Sequence, residues 1–294
     1  MMPDYHIGSL DEQSLTQLAT HTEQIIEADK TRPVFLQSKA WSPAVLSSKE
    51  KVSSDTKIFT FTLDHTNQTI GLPIGQHLMM RVREQASGEA IIRAYTPISE
   101  PTDAGKLRVL VKIYYDTAST RGGRMTQALD ALPLGHTIDF KGPVGKFEYL
   151  GGGRCSVNGR ERQVRRFVMV CAGSGITPVF QVLRAVLKDK DDPTTCLVLD
   201  GNRVEEDILC KAELDAMAEW NPERCTVLYT LSRPLASWQG LKGRMDKGLF
   251  EREVGGPPEG GDVMVLVCGP EALEGAVRGI FKGMGWKEED VLFF

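Results

Sequence analysis

Four short stretches hold residue types suited to phosphates, aromatic rings and hydrogen transfer. Arg93-Ala94-Tyr95-Thr96-Pro97 sets a cation, an aromatic ring and a hydroxyl along one extended segment. Arg121-Gly122-Gly123-Arg124 runs directly into a helical pattern at Met125-Thr126, so a glycine-preceded helix N-terminus points at a possible anion site. In residues 167–179, FVMVCAGSGITPV, an apolar run meets Gly173-Ser174-Gly175 and then a proline-opened helix. Those glycines leave no bulk on the turn, backbone N–H groups can approach a pyrophosphate closely, and Pro178 suits a first helical turn. A dinucleotide site is the natural reading of this third stretch. A plain tight corner uses the same glycines, and a full G-x-G-x-x-G is missing. Cys268 closes an apolar run before Gly269-Pro270-Glu271, where a thiol can shape a pocket or simply be a small buried group.

The elements that must position these residues change character along the chain. Residues 57–63 and 107–114 alternate with a period of two, and 77–82, 90–95 and 137–140 are further strand candidates, which predicts a small antiparallel β-barrel over 35–150. Strand alternation puts Lys112 and Tyr114 opposite Val111 and Ile113, so one face can be core while the other meets a ligand. One helix, 125–132, interrupts the barrel. Residues 151–166 break the composition with three glycines and the turn Asn158-Gly159 ahead of Arg160, Arg162, Arg165 and Arg166, as an exposed inter-domain hairpin would. From 167 to 294 strands alternate with helices: 167–172, a helix from Pro178, 196–199, a helix over 205–220, 225–230, 263–268 and a last helix from Glu271. That is an α/β domain with a parallel sheet, whose ligands bind beyond the carboxyl ends of its strands. The first 34 residues read as a linker with a thin apolar stripe at Leu15, Leu18, Ile25 and Ile26.

Composition narrows the class. The 294 residues suffice for two cores, and a formal charge of −4 argues against a nucleic-acid partner. No apolar run reaches the roughly 18 residues of a membrane span, so the cytoplasm is the expected location. The six cysteines include no C-x-x-C pair and read as reduced core residues, with no metal site.

Together with Gly142-Pro143-Val144-Gly145, the order and spacing of these motifs resemble the ferredoxin–NADP reductase superfamily and, within it, the cytochrome b5 reductase group. The resemblance implies FAD on the barrel and a nicotinamide dinucleotide on the α/β domain. In that group R-x-Y-T/S holds FAD, which gives Arg93 the pyrophosphate, Tyr95 the isoalloxazine face and Thr96 a bond near the flavin N5, with Ala94 between them. Leu110-Val111-Lys112-Ile113-Tyr114 is similar to the strand lying along the flavin, and Gly123-Arg124-Met125-Thr126 resembles the family's pyrophosphate-cradling G-K-M-S. Ser174 and Thr177 would sit near the flavin at the domain seam. Gly173, Gly175, Cys268, Gly269 and Pro270 would meet the nicotinamide dinucleotide. Cys268, Thr96, Thr177 and Lys112 are the implied catalytic group, with Cys268 shaping the pocket rather than attacking.

A narrower resemblance covers nearly the whole chain. Asp4-Tyr5-His6-Ile7-Gly8, residues 199–209 (LDGNRVEEDIL) and the closing Asp290-Val291-Leu292-Phe293-Phe294 resemble the C-terminal reductase modules of fungal assimilatory nitrate reductases. The implied function is hydride transfer from NADPH to FAD and single-electron delivery to a cytochrome b5-type heme domain of the same polypeptide, in an enzyme that is a homodimer at full length. Nitrate reduction by this stretch alone is not expected. Ser232, where NADH-specific relatives carry aspartate, with Arg233 and Arg244 nearby, predicts NADPH over NADH, because guanidinium groups grip a 2′-phosphate. Asp200 keeps weaker NADH use open. The competing readings are a stand-alone NADH–cytochrome b5 reductase and a nucleotide-binding interaction module without turnover.

Overall fold

The computed structural model describes residues 32–84 and 88–294; the expected lead-in helix and the stretch from Asp4 to Gly8 lie outside the described residues. Six strands form an antiparallel sheet: β1 (Ser42–Lys51), β2 (Thr56–Thr62), β3 (His77–Arg83), β4 (Ala90–Tyr95), β5 (Lys106–Lys112) and β6 (Thr137–Val144). Their spatial order is β4-β3-β6-β1-β2-β5. The chain beyond β4 returns to the opposite edge, where Ile98 N–H donates to Arg108 O of β5 at 2.9 Å, so the two ends of the sheet meet. Alternate residues point inward as the period-two pattern requires: Phe59 and Phe61, Leu78 and Met80, Ile138 and Phe140 are buried in one core. Phe35 and Phe61 both stand edge-on to Phe140, with centroids 5.7 and 5.0 Å away. β1 escaped the sequence reading because only its first half alternates; its pairing with β2 slips between Leu46 and Ser48 and then turns polar. Helix α1 (Arg124–Ala131) lays Met125 and Leu129 onto this core.

A three-stranded meander follows, β7 (Phe147–Gly151), β8 (Arg154–Val157) and β9 (Arg160–Gln163). Its second turn uses Asn158 and Gly159 at φ 52° and 77°, the left-handed pair that a two-residue hairpin needs.

The second sheet is parallel, β10 (Arg166–Ala172), β11 (Thr195–Asn202), β12 (Cys225–Leu231), β13 (Leu241–Lys242), β14 (Val263–Cys268) and β15 (Val291–Phe293), ordered β13-β12-β11-β10-β14-β15. β10 lies inside the sheet and is apolar on both faces, because both are covered. Phe167, Met169 and Cys171 pack with helix α2 (Ile176–Lys188), while Val168 and Val170 pack with α4 (Lys247–Glu253) and α5 (Glu271–Gly283). The helix expected over 205–220 is two pieces: a 3-10 turn at Glu205–Asp207, then α3 (Lys211–Trp220). Cys210 at φ 56° breaks the helical run, and Ile208 and Leu209 on the link between the pieces are buried. The acidic run at 205–207 looks like a helix first turn but is drawn across the domain seam, as described below.

Candidate functional site

The seam between the two sheets gathers most of the residues singled out in the sequence. β5 is the reason. Its odd positions Leu107, Val109 and Val111, with Ile113 just beyond it, fill the barrel core, whereas Leu110 is buried in the core of the α/β domain. β5 also lies against the Gly173–Gly175 turn. The strand expected to run along a flavin thus also carries the inter-domain contact.

On the barrel side, β4 ends in Arg93, Ala94 and Tyr95. Arg93 and Ala94 are exposed, and among the described residues the Arg93 guanidinium donates to its neighbour's carbonyl, Ile92 O, at 2.7 Å. The Tyr95 phenol is pushed up to about 12 by burial; Arg93 and Tyr114 lie near enough to act on it in opposite senses. Thr96 is buried beside them. Tyr114 is half exposed and ties the end of β5 to α1: its carbonyl accepts from Gly123 N–H at 2.8 Å, and its N–H donates to Thr126 Oγ1 at 3.2 Å. The Thr126 hydroxyl donates in turn to Gly123 O at 3.1 Å. Gly122 is required here, since a Cβ would stand 2.3 Å from Tyr114 O. The α1 N-terminus has no side-chain cap and no acidic residue in its first turn. An arginine, two aromatic rings and an uncapped helix start form a donor set that fits a flavin dinucleotide with its pyrophosphate at the helix.

Three residues of that expected set are placed otherwise. Arg124 is held by Glu84 at 3.1 Å and Glu89 at 2.8 Å on the β3–β4 hairpin. Leu110 faces the second core rather than an open cleft. Lys112 sits between Asp55 at 2.8 Å and Asp207 at 2.9 Å. Burial pushes its ammonium down, but the hydrogen bonds to the two carboxylates outweigh that and leave it above the ordinary lysine value.

On the α/β side, Gly173, at φ 55°, faces open space. Gly175 is wedged against the next strand, where a Cβ would lie 2.2 Å from Cys268 O and 2.9 Å from Gly269 Cα. The close approach of two strand ends therefore fixes this glycine, and it places Cys268 and Gly269 directly beside the turn. Thr177 donates to Ser174 O at 3.1 Å, closing the first turn of α2, which has no side-chain cap. The Cys268 thiol is half-buried and pushed up to about 12 by burial, with Glu274 adding to it, so its proton stays on Sγ. Asp200, one strand away, is 1% exposed; its carboxyl meets the Cys171 thiol at 3.5 Å and accepts from Asn202 Nδ2 at 2.9 Å. It faces inward, and β11 runs on past it to Asn202.

Ser232, Arg233, Arg244 and Pro270 are exposed at the same end of the sheet. Leu231 pairs with Lys242, and Gly243 N–H donates to Leu231 O at 2.8 Å, so the strand end before Arg244 folds back alongside the one before Ser232. Sequence reasoning missed Asp55 and Asp207, and also the α2 residues Gln181, Arg184 and Lys188. Gly75 N–H donates to Gln181 Oε1 at 2.7 Å, Arg184 donates to Ile98 O and Ser99 O at 2.9 Å, and Lys188 pairs with Glu100 at 2.7 Å. No local pattern marks such residues, because their partners lie 57 to 106 positions away.

Two family models match this chain, an oxidoreductase FAD-binding domain over residues 43–149 and an oxidoreductase NAD-binding domain over 169–279. The nitrate reductase [NADPH] of Neurospora crassa is 60% identical over 301 residues, taking in all of this chain and 31% of its own length. That of Beauveria bassiana is 59% identical over 295 residues, with 33% of its length covered. Among solved structures, the cytochrome b5 reductase domain of Ulva prolifera nitrate reductase matches with a TM-score of 0.83 at 34% identity, over 89% of this chain and 100% of that one.

The chain belongs to the nitrate reductase family of cytochrome b5 reductase domains. It spans about a third of the length of the curated relatives it matches. As a two-domain reductase of this family it carries an antiparallel FAD-binding domain followed by a parallel-sheet NAD-binding domain. Among the described residues no helix is long and apolar enough to cross a membrane.

Proposed function

We propose that this chain is the reductase module of an assimilatory nitrate reductase, taking reducing equivalents from NADPH and delivering single electrons to a cytochrome b5-type heme domain of the same polypeptide. The observation that carries this is the seam: the Gly173–Gly175 turn, Cys268 and the cofactor strand β5 converge there from two domains. Residues 35–150 would carry the flavin, 151–166 join the halves, 167–294 carry the nicotinamide dinucleotide, and 1–34 link to the heme domain. The relatives named nitrate reductase [NADPH] support the coenzyme, and their greater length leaves room for a heme partner and for homodimerisation through other parts.

FAD, when bound, supplies the two-electron acceptance and one-electron release that side chains lack. The protein's part is binding and alignment. Arg93 would pair with the pyrophosphate together with the backbone amides of residues 123–126, which the Tyr114–Thr126 bonds hold in place. Tyr95 would lie against the ring, and Thr96 and Thr177 would offer hydroxyls at the seam beside Ser174. Gly173, Gly175, Gly269 and Pro270 would let the dinucleotide approach the backbone. Cys268, a neutral thiol, would bound the nicotinamide pocket without acting as nucleophile. Ser232, Arg233 and Arg244 would receive the 2′-phosphate, which two guanidinium groups favour and an aspartate would repel.

Anaerobic mixing of the FAD-loaded protein with NADPH tests the reading. Flavin absorbance should bleach, NADH should be slower, and added soluble cytochrome b5 should be reduced while nitrate is not. Ser232→Asp should raise KM for NADPH about tenfold, a loss of about 1.4 kcal/mol, with little change in kcat. A protein that binds NADPH without bleaching would be an interaction module, and equal use of both coenzymes would refute the 2′-phosphate assignment.

A further inference from the structure

The two domains touch through contacts of different kinds. Along α2 the links run to residues 75–100 and use a side-chain amide, backbone carbonyls and one ion pair: Gln181 with Gly75, Arg184 with Ile98 and Ser99, Lys188 with Glu100. The second link is ionic. Lys112 closes β5, and its ammonium is shared by Asp55, just before β2, and by Asp207, which ends the 3-10 turn after β11. The Lys112 side chain is 16% exposed, while the two carboxylates keep partial contact with water. Asp55 belongs to the barrel and Asp207 to the α/β domain, and the Asp55 carbonyl also accepts from Ile113 N–H at 2.6 Å. Lys112 and Asp55 are thereby fixed to each other on one domain, and Asp207 is the group that reaches across.

We propose that Asp207 is a positioning residue for hydride transfer, setting through Lys112 the separation between β5 and the strand ends that carry Gly175 and Cys268. The inference rests on the proposed function and adds to it a residue that touches no reacting atom. Leu110 is already buried in the α/β core, and β5 lies against the Gly173–Gly175 turn, but apolar contacts of this kind set no fixed length. The Lys112–Asp207 bond is the directional contact that sets how far the end of β5 stands from the α/β domain. Hydride transfer is steep in donor–acceptor distance, so a seam that can open slows the chemical step while leaving each half-site intact. Asp207, the last residue of the acidic run, then has a role that a helix first turn does not explain.

The test is rapid-mixing flavin reduction by NADPH in the FAD-loaded chain, comparing the parent with Asp207→Asn and Asp207→Glu. For Asp207→Asn we expect parent FAD content, an unaltered melting temperature, an NADPH dissociation constant within twofold of the parent, and a limiting reduction rate about tenfold lower. Asp207→Glu, which keeps the charge and adds reach, should recover most of that rate. A weakened NADPH affinity at an unchanged limiting rate would overturn the proposal by making Asp207 a dinucleotide contact. Loss of FAD or of the melting transition would also overturn it, since neither domain needs the seam bond to fold. So would an Asp207→Glu rate as low as that of Asp207→Asn, or parent rates in both. Failure of the parent itself to be reduced by NADPH would instead refute the function proposed above.

Discussion

The turn before α2 and the turn before α1 both open a helix onto the seam through glycine, yet they are held in opposite ways. At Gly173–Gly175 the constraint is packing: β10 and β14 are in register to Cys171 and Cys268, and Gly175 abuts the Cys268 carbonyl with no room for a Cβ. At Gly122 and Gly123 the constraint is a set of surface hydrogen bonds, from Gly122 N–H to Asp116 at 2.6 Å, Gly123 N–H to Tyr114 O, and Thr126 to both neighbours. The first turn is part of a core and should break with it. The second should move without unfolding anything.

Gly175→Ala gives the largest expected effect. Its Cβ would overlap Cys268 O, a backbone atom in a central strand, and neither β10 nor β14 can yield without disturbing the sheet. Overpacking of this kind costs about 3 kcal/mol or more. Urea unfolding should show that loss, together with failure of NADPH to bleach the flavin. A midpoint equal to the parent's would mean that the turn is not fixed by the neighbouring strand.

The same contrast explains what the sequence could show. The core-held parts were legible: Val263–Cys268 begins and ends where its apolar pattern does, and the strand–glycine–helix corner at 173 is visible because burial imposes periodicity. The Asn158-Gly159 turn was legible because its left-handed backbone needs those residue types. The short strands β13 and β15 were not, since two or three residues hold no period. Asp207 falls in the 199–209 stretch and reads as part of a helix there, because only the fold reveals that its partner is Lys112. The family motifs named Arg93, Tyr95 and Thr96 but could not show that Arg124 is engaged by Glu84 and Glu89, two carboxylates that lie 40 and 35 residues earlier in the chain.

Beneath the first turn lies a buried acid, which sharpens the comparison through pH. Burial pushes the Asp200 carboxyl from 3.8 up to about 7, with partial relief from Cys171 and Asn202; Tyr229 and Cys210 are the other titratable groups close to it. The folded chain therefore holds this proton more tightly than the unfolded chain does. Its contribution to stability is full below about pH 4, is lost as pH rises through about 7, and is constant above that. Three units correspond to about 4 kcal/mol, and about 2 kcal/mol is expected once relaxation of the site is allowed for. Asp200→Asn should thus be more stable than the parent at pH 8 and show a flatter stability curve between pH 5 and 8 in urea titrations. An unchanged slope would show that Asp200 does not titrate in that window.

The smallest effect on stability, and the cleanest separation of the two turns, is expected from Gly122→Ala. On geometry alone it resembles Gly175→Ala, since its Cβ would stand 2.3 Å from Tyr114 O and 2.6 Å from Tyr115 C. The surroundings differ. Tyr114, Tyr115, Asp116 and Arg121 are all exposed, so the segment can swing outward with no strand to disturb and no core to open. The cost to global stability should stay under about 1 kcal/mol, as for other exposed loop positions. What moves is the start of α1. The Gly123–Tyr114 and Thr126–Tyr114 bonds orient the first helical amides, and displacing them removes donors from the proposed pyrophosphate site while Arg93 and Tyr95 stay in place. FAD affinity should fall about tenfold, the equivalent of losing roughly one charge-assisted hydrogen bond of about 1.5 kcal/mol. Equilibrium dialysis of FAD alongside a melting curve distinguishes the cases. A large drop in melting temperature would make the α1 turn as core-dependent as the α2 turn, and parent FAD affinity would remove the 123–126 amides from the flavin site.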